Sequence, residues 1–283
     1  VSELAELARE VMFPGFFGKR GLTRQSLPAH MHQLVARITQ VAQEQTLSVL
    51  RYVREIEPGS IDAGACDARA AEVAASFVAQ LPELRRLLAL DVQAAFDGDP
   101  AAVHTDETIF CYPGIDAVFS HRVAHAFQSR GVTLLPRIIQ EMAHSRSGID
   151  IHPGATIGDS FFIDHGGGTV IGETTRIGHH VRVYQGVTLG AKSFDTDEAG
   201  HLVRSGKKRH PTIGDRVTIY AGAVILGGDT VIGDDCVIGG SVFITQSVPP
   251  GHVVRQKTPE LVLRAWTEAK ARPASRGGPD AGI

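Results

Sequence analysis

Ile171-Gly172-Glu173-Thr174-Thr175-Arg176-Ile177-Gly178-His179-His180-Val181-Arg182-Val183-Tyr184-Gln185-Gly186-Val187-Thr188-Leu189 carries an aliphatic residue at every sixth position. Extended in both directions, the frame takes in Ile151, Ile157 and Ile163 before it, and Ile213, Ile219, Ile225, Ile232, Ile238 and Ile244 after it. Glycine often follows the aliphatic residue (Gly158, Gly172, Gly178, Gly190, Gly214, Gly233, Gly239), and small or β-branched side chains tend to fall four places on (Ala155, Thr175, Val181, Val187, Val217, Ala223, Val242). A period of six matches neither a helix at 3.6 nor a strand at 2, so it marks a repeat architecture. If each hexad is a short strand and a corner, three close a triangular coil. The aliphatic side chain then points inward and stacks on its counterpart one coil away.

Outside the frame the pattern changes. Residues 1–148 are predicted to be helical. Apolar residues recur at threes and fours around Met31–Val53, and Ala70–Phe96 is rich in alanine and leucine, both strong helix formers. A third helix is expected after Pro113, carrying His121, Arg122 and His125, and a fourth from Leu134 to about His144. The hexads occupy 149–250. Past Pro249-Pro250-Gly251, residues 251–283 are expected to hold a short helix around Glu260–Lys270 and a flexible tail from Arg272. The expected domains are therefore 1–148, 149–250 with a protruding loop at 190–212, and 251–283.

The composition is that of a globular protein, with 21% charged residues and a net charge of −3, which gives no reason to expect nucleic acid as a partner. Cys66, Cys111 and Cys236 are odd in number and form no CxxC pair, so neither a disulfide framework nor a cysteine zinc site is indicated. No apolar run reaches the length that crosses a bilayer and the amino terminus is acidic, so a cytoplasmic location is the expectation.

The frame breaks three times: between Ile163 and Ile171, between Leu189 and Ile213, and between Ile225 and Ile232. The first break holds Asp164-His165 and three glycines, which leave the imidazole free of bulk and the backbone open to a ligand. A histidine beside a carboxylate is suited to deprotonate a hydroxyl near neutral pH. Asp150 lies a little under one coil earlier in the chain, where it could accept the imidazole N–H, or merely close a local turn. The second break contains Lys192, Lys207, Lys208, Arg209 and His210, as expected of a loop thrown out over a site. A zinc triad drawn from His152, His165, His179, His180 and His210 is the competing arrangement.

Asp99-Pro100-Ala101, Asp150-Ile151-His152-Pro153, Ile163-Asp164-His165, Ile171-Gly172-Glu173-Thr174, Arg209-His210-Pro211 and Val248-Pro249-Pro250, together with a helical amino-terminal half, make this chain resemble the serine O-acetyltransferases from about Asp99 to Pro250. These are hexapeptide-repeat acyltransferases with a left-handed parallel β-helix. The resemblance implies transfer of acetyl from acetyl-CoA to L-serine, the step that commits serine to cysteine. It implies that His165 acts as base, oriented by Asp150. Asp99 and Asp164 would take the ammonium of serine and Arg209 its carboxylate, with His210 also contacting the amino acid. Acetyl-CoA would be co-substrate, with no metal, and from charge and position alone Lys192, Lys207 or Lys208 would meet its phosphates. Trimers or dimers of trimers with sites between subunits are implied, as are feedback inhibition by L-cysteine and docking of O-acetylserine sulfhydrylase on Ile283. The 190–210 loop is longer than in the best-known members, and the usual Gly-x-Pro-Ala segment after Pro250 is replaced by Gln256-Lys257-Thr258-Pro259-Glu260. Other readings are a related transferase acting on another hydroxy amino acid or a sugar, a zinc-dependent hydratase of carbonic-anhydrase type, and a scaffold that regulates the sulfhydrylase.

Overall fold

The structure, a computed structural model, describes residues 1–59, 62, 64–203 and 206–257. The expected helix at Glu260–Lys270 and the tail ending in Ile283 lie outside the described residues. Six helices come first: α1 (Ser2–Met12), α2 (Leu27–Ile56), α3 (Ala65–Gly98), α4 (Thr105–Cys111), α5 (Pro113–Gln128) and α6 (Leu134–Ser147). Of these, α1 and the seven-residue α4 were not foreseen. α6 ends on Gly148, whose left-handed conformation (φ 69°) turns the chain into the first strand.

The hexads form three parallel sheets, the faces of a left-handed β-helix. One face consists of β1 (Asp150–Ile151), β4 (Val170–Ile171), β7 (Thr188–Gly190), β10 (Val224–Leu226) and β13 (Phe243–Ile244). The second consists of β2 (Thr156–Ile157), β5 (Arg176–Ile177), β8 (Thr212–Ile213) and β11 (Val231–Ile232). The third consists of β3 (Phe162–Ile163), β6 (Arg182–Val183), β9 (Thr218–Ile219), β12 (Val237–Ile238) and β14 (Val253–Val254). Their register is the one the frame predicts. Ile151 stacks on Ile171, then Leu189, Ile225 and Ile244, and all five are buried in one continuous core. The stack runs unbroken past all three interruptions, because each is confined to a corner between sheets.

The helical half is fastened to the first coil by a buried ion pair. Arg122 on α5 donates to both carboxylate oxygens of Asp91 on α3, at 2.5 and 2.8 Å, and to the carbonyls of Ile157 and Gly158. Asp91 in turn accepts the backbone N–H of Phe161. Both side chains are almost completely buried, and burial drives the Asp91 carboxyl above its ordinary value against the pull of Arg122. Two glycines bring the main chains into contact nearby. A Cβ on Gly98 would lie 2.6 Å from the Phe162 ring, and one on Gly114 would lie 2.2 Å from the Ile163 carbonyl oxygen. The ends of α3 and α5 are thus held directly against β3, and the chain enters the Asp164–His165 corner from there.

Candidate active site

Two corners flank the strand β4. The corner before it holds Asp164-His165-Gly166-Gly167-Gly168. His165 has a left-handed backbone (φ 55°), a conformation shared with other corner residues such as Ser160 and His180, so the strain belongs to the coil rather than to the histidine alone. Its imidazole is 74% exposed, and Nε2 stands 3.7 Å from Asp164 Oδ1.

The helical half supplies the neighbours. Asp99 ends α3, and its Oδ1 accepts the Ala101 N–H at 2.8 Å while Oδ2 accepts the Tyr112 hydroxyl at 2.5 Å. The Tyr112 bond, then the Ala101 bond, hold the Asp99 carboxyl below its ordinary value, with a further contribution from the charge of His165. Tyr112 is pushed far above the usual phenol range, first by Asp99 and more weakly by Glu107 and Asp164. Asp99, Tyr112, Asp164 and His165 therefore form one cluster of interacting groups. Nothing in the spacing of the sequence marked Tyr112.

Asp150 sits on β1, half-buried, and no hydrogen bond joins it to His165 among the described residues. Its carboxylate lies instead with Glu141 and His144 of α6, the three offering oxygen or nitrogen atoms within 4.8 Å of one another. That is the sole group among the described residues with the spacing to hold a metal ion. His152, His165, His179, His180 and His210 are not brought together as a triad, because they are distributed over different corners of the coil.

The corner after β4 is built differently. His210 is buried, and its Nδ1 accepts the Thr174 N–H at 3.1 Å, which leaves the ring proton on Nε2. Burial first, then the positive charge of Arg209, pushes this imidazole down to about 4, so it is neutral near pH 7. A Cβ on Gly172 would sit 2.0 Å from the ring, so the glycine makes the room His210 occupies. The Thr174 hydroxyl accepts the N–H groups of Arg209 and His210 and fixes the end of the loop. Arg209 is paired with Glu173, which carries no assigned role in the sequence analysis. Burial works to raise the Glu173 carboxyl, and Arg209 with the neighbouring histidines brings it below its ordinary value.

The loop between β7 and β8 covers a cavity of about 1060 Å³ lined by Lys192, Phe194, Leu202, Lys207, Arg209 and Glu173 among others. The three lysines expected to meet phosphate are not equivalent. Lys208 donates to the carbonyls of Thr174, His210 and Pro211, so all three of its N–H groups are engaged in pinning the loop base, and it is unsuited to phosphate. Lys207 is paired with Asp195 at 3.2 Å. Lys192 has no ion pair among the described residues and faces the cavity. His165 belongs to the corner before β4, whereas Arg209 and His210 pack on the corner after it, and no hydrogen bond or ion pair joins the two among the described residues.

This coil, these corners and this helical half recur in solved and sequenced proteins. The chain is 47% identical over 250 residues to the plasmid serine acetyltransferase of Synechococcus elongatus, covering 88% of this chain and 77% of that one. The chain belongs to the serine acetyltransferase family. It catalyses transfer of the acetyl group of acetyl-CoA to the hydroxyl of L-serine, giving O-acetylserine and CoA. Entamoeba histolytica serine acetyltransferase 1, solved in complex with L-cysteine, superimposes with a TM-score of 0.77 at 36% identity, covering 90% of this chain and 87% of that one. Neisseria gonorrhoeae serine acetyltransferase in complex with serine gives a TM-score of 0.58 at 25% identity, covering 91% and 97%. No protein-family model matches the chain. Among the described residues no helix is long and apolar enough to cross a membrane.

Proposed function

We propose that His165 is the general base of this serine acetyltransferase. The imidazole takes the proton of the serine hydroxyl as that oxygen attacks the thioester carbonyl. The tetrahedral intermediate collapses with cleavage of the carbon–sulfur bond, and the proton passes to the departing thiolate. Asp99 and Asp164 take the ammonium group, and Arg209 takes the carboxylate with the donor geometry suited to it. His210 offers its Nε2–H to the same end of the amino acid. Asp150 is proposed to orient His165. Because the two are not hydrogen-bonded here and Asp164 is close to the ring, comparing Asp150→Asn with Asp164→Asn tells which acid serves.

The observation that carries this reading is geometric: Gly98 and Gly114 press the segments bearing Asp99 and Tyr112 onto β3, and β3 runs directly into Asp164 and His165. It puts two carboxylates beside a base, as an amino acid with a hydroxyl requires. The separation of Arg209 and His210 from that cluster supports a homotrimer, or a dimer of trimers, in which the loop corner of one copy faces the His165 corner of the next. The helical domain would contribute to assembly as well as to the site. Coenzyme A would extend from there toward the loop cavity, with Lys192 the lysine best placed for phosphate. The Entamoeba enzyme's cysteine complex supports L-cysteine as a feedback inhibitor at the serine site. A cytoplasmic location and docking of the sulfhydrylase on Ile283 complete the proposal. The deciding experiment is CoA release with serine by wild type and His165→Ala. The proposal expects a loss of about 10²–10⁴-fold, and a variant that keeps its turnover overturns it.

A further inference from the structure

Tyr112 has no part in the reading above, yet it holds the carboxylate on which that reading depends. It lies at the junction between α4 and α5, half-buried against the helical core. Its backbone carbonyl accepts the N–H groups of Ile115 and Asp116 and so starts α5. Two residues on, Gly114 is pressed against the Ile163 carbonyl, directly before Asp164. The backbone that carries the phenol is therefore fixed by main-chain contacts. Its hydroxyl donates to Asp99, whose other oxygen is already held by Ala101.

We propose that Tyr112 is a positioning residue for the amino-acid substrate, orienting Asp99 so that its remaining lone pairs face the ammonium group. The inference rests on Asp99 being an ammonium ligand. An ionised carboxylate offers about four acceptor positions. Ala101 and Tyr112 take one on each oxygen, which stops the carboxylate from rotating and leaves the open side for a donor. Rotation about the terminal torsion of aspartate is otherwise soft, and a carboxylate free to turn would have to be ordered again each time substrate binds. The hydroxyl also favours the ionised form of Asp99, since a donor to the charged form stabilises that form. The phenol remains protonated throughout, because ionising it beside the Asp99 carboxylate is unfavourable. Tyr112 touches neither the thioester nor the reacting hydroxyl.

Any ligand that presents an α-ammonium group meets the same carboxylate, whatever its side chain. Loss of the hydroxyl therefore weakens serine and cysteine in the same proportion and leaves acetyl-CoA alone. In full-length Tyr112→Phe, the expected result is a KM for serine raised about 10-fold, the scale of a hydrogen bond to a charged group. The inhibition constant for cysteine rises in step, with kcat and the KM for acetyl-CoA essentially unchanged. A variant with wild-type serine KM overturns the inference. So does one in which the KM values for serine and acetyl-CoA rise together, the result of general damage. Asp99→Asn separates the two levels. If it leaves the serine KM unchanged, the ammonium reading itself fails. If it raises the serine KM while Tyr112→Phe does not, Tyr112 alone loses its role.

Discussion

The two corners that flank β4 are built on opposite plans. Before the strand, a short break is buttressed by the rest of the protein: Asp99 and Tyr112 come from helices locked against β3 by Gly98, Gly114 and the Asp91–Arg122 pair. Against the corner after the strand packs the end of the long excursion between β7 and β8, which is exposed along most of its length and secured at its base by Lys208 and Thr174. A group that moves a proton has to be held in register with its neighbours to a fraction of an ångström. A loop that brings cations and a cavity to a ligand can be tied at its ends and vary between. The same solenoid supports both, because a corner can be lengthened without disturbing the inward stack.

Substitutions at the two corners should have effects of very different size. The largest effect is expected at the buttressed corner, where His165→Ala should lower kcat by about 10²–10⁴-fold with little change in unfolding temperature; steady-state kinetics and calorimetry check both. Arg122→Leu removes the fastening and leaves Asp91 buried and unpaired. It should cost about 3–5 kcal/mol in urea unfolding, whereas a loss below about 1 kcal/mol would mean that the helical half is not held this way. At the loop corner, Arg209→Ala should raise the KM for serine by about 10–100-fold, as befits a lost charged hydrogen bond, while the fold is unaffected. The smallest effect is in pH. His121, fully buried, His152 and His210 are all neutral and harder to protonate than when exposed, His210 down to about 4. The unfolded chain, with histidines near about 6.5, binds more protons below that pH, so stability should fall as pH drops from there toward 4. His210→Gln should flatten part of that fall; an identical slope would contradict the burial of this ring.

The solenoid was legible because its period belongs to the sequence itself: every inward residue from Ile151 to Ile244 could be placed before any contact was known, and the breaks located the corners. The loop was legible because Ile213 resumes the frame. Tyr112 and the Asp91–Arg122 pair were not, since each joins residues far apart in sequence through helices whose docking depends on two missing Cβ atoms. The use of Lys208 was hidden for a related reason. A lysine beside a site looks like a phosphate ligand until the free carbonyls of a loop base are seen to claim it. α4, seven residues long, is too short for periodicity to reveal.

In the proposed oligomer the two halves of the site stand on different corners and meet between copies. Co-expression of differently tagged His165→Ala and Arg209→Ala chains, followed by isolation of mixed oligomers, tests this directly. Assayed at serine far below the raised KM of the Arg209→Ala chain, each variant alone is nearly inactive. If neighbouring copies share the site in a ring, random mixing restores an intact pairing at about a quarter of the interfaces, and activity should recover to about that fraction of wild type. Mixed oligomers no more active than either parent would contradict the account and place the whole site within one chain.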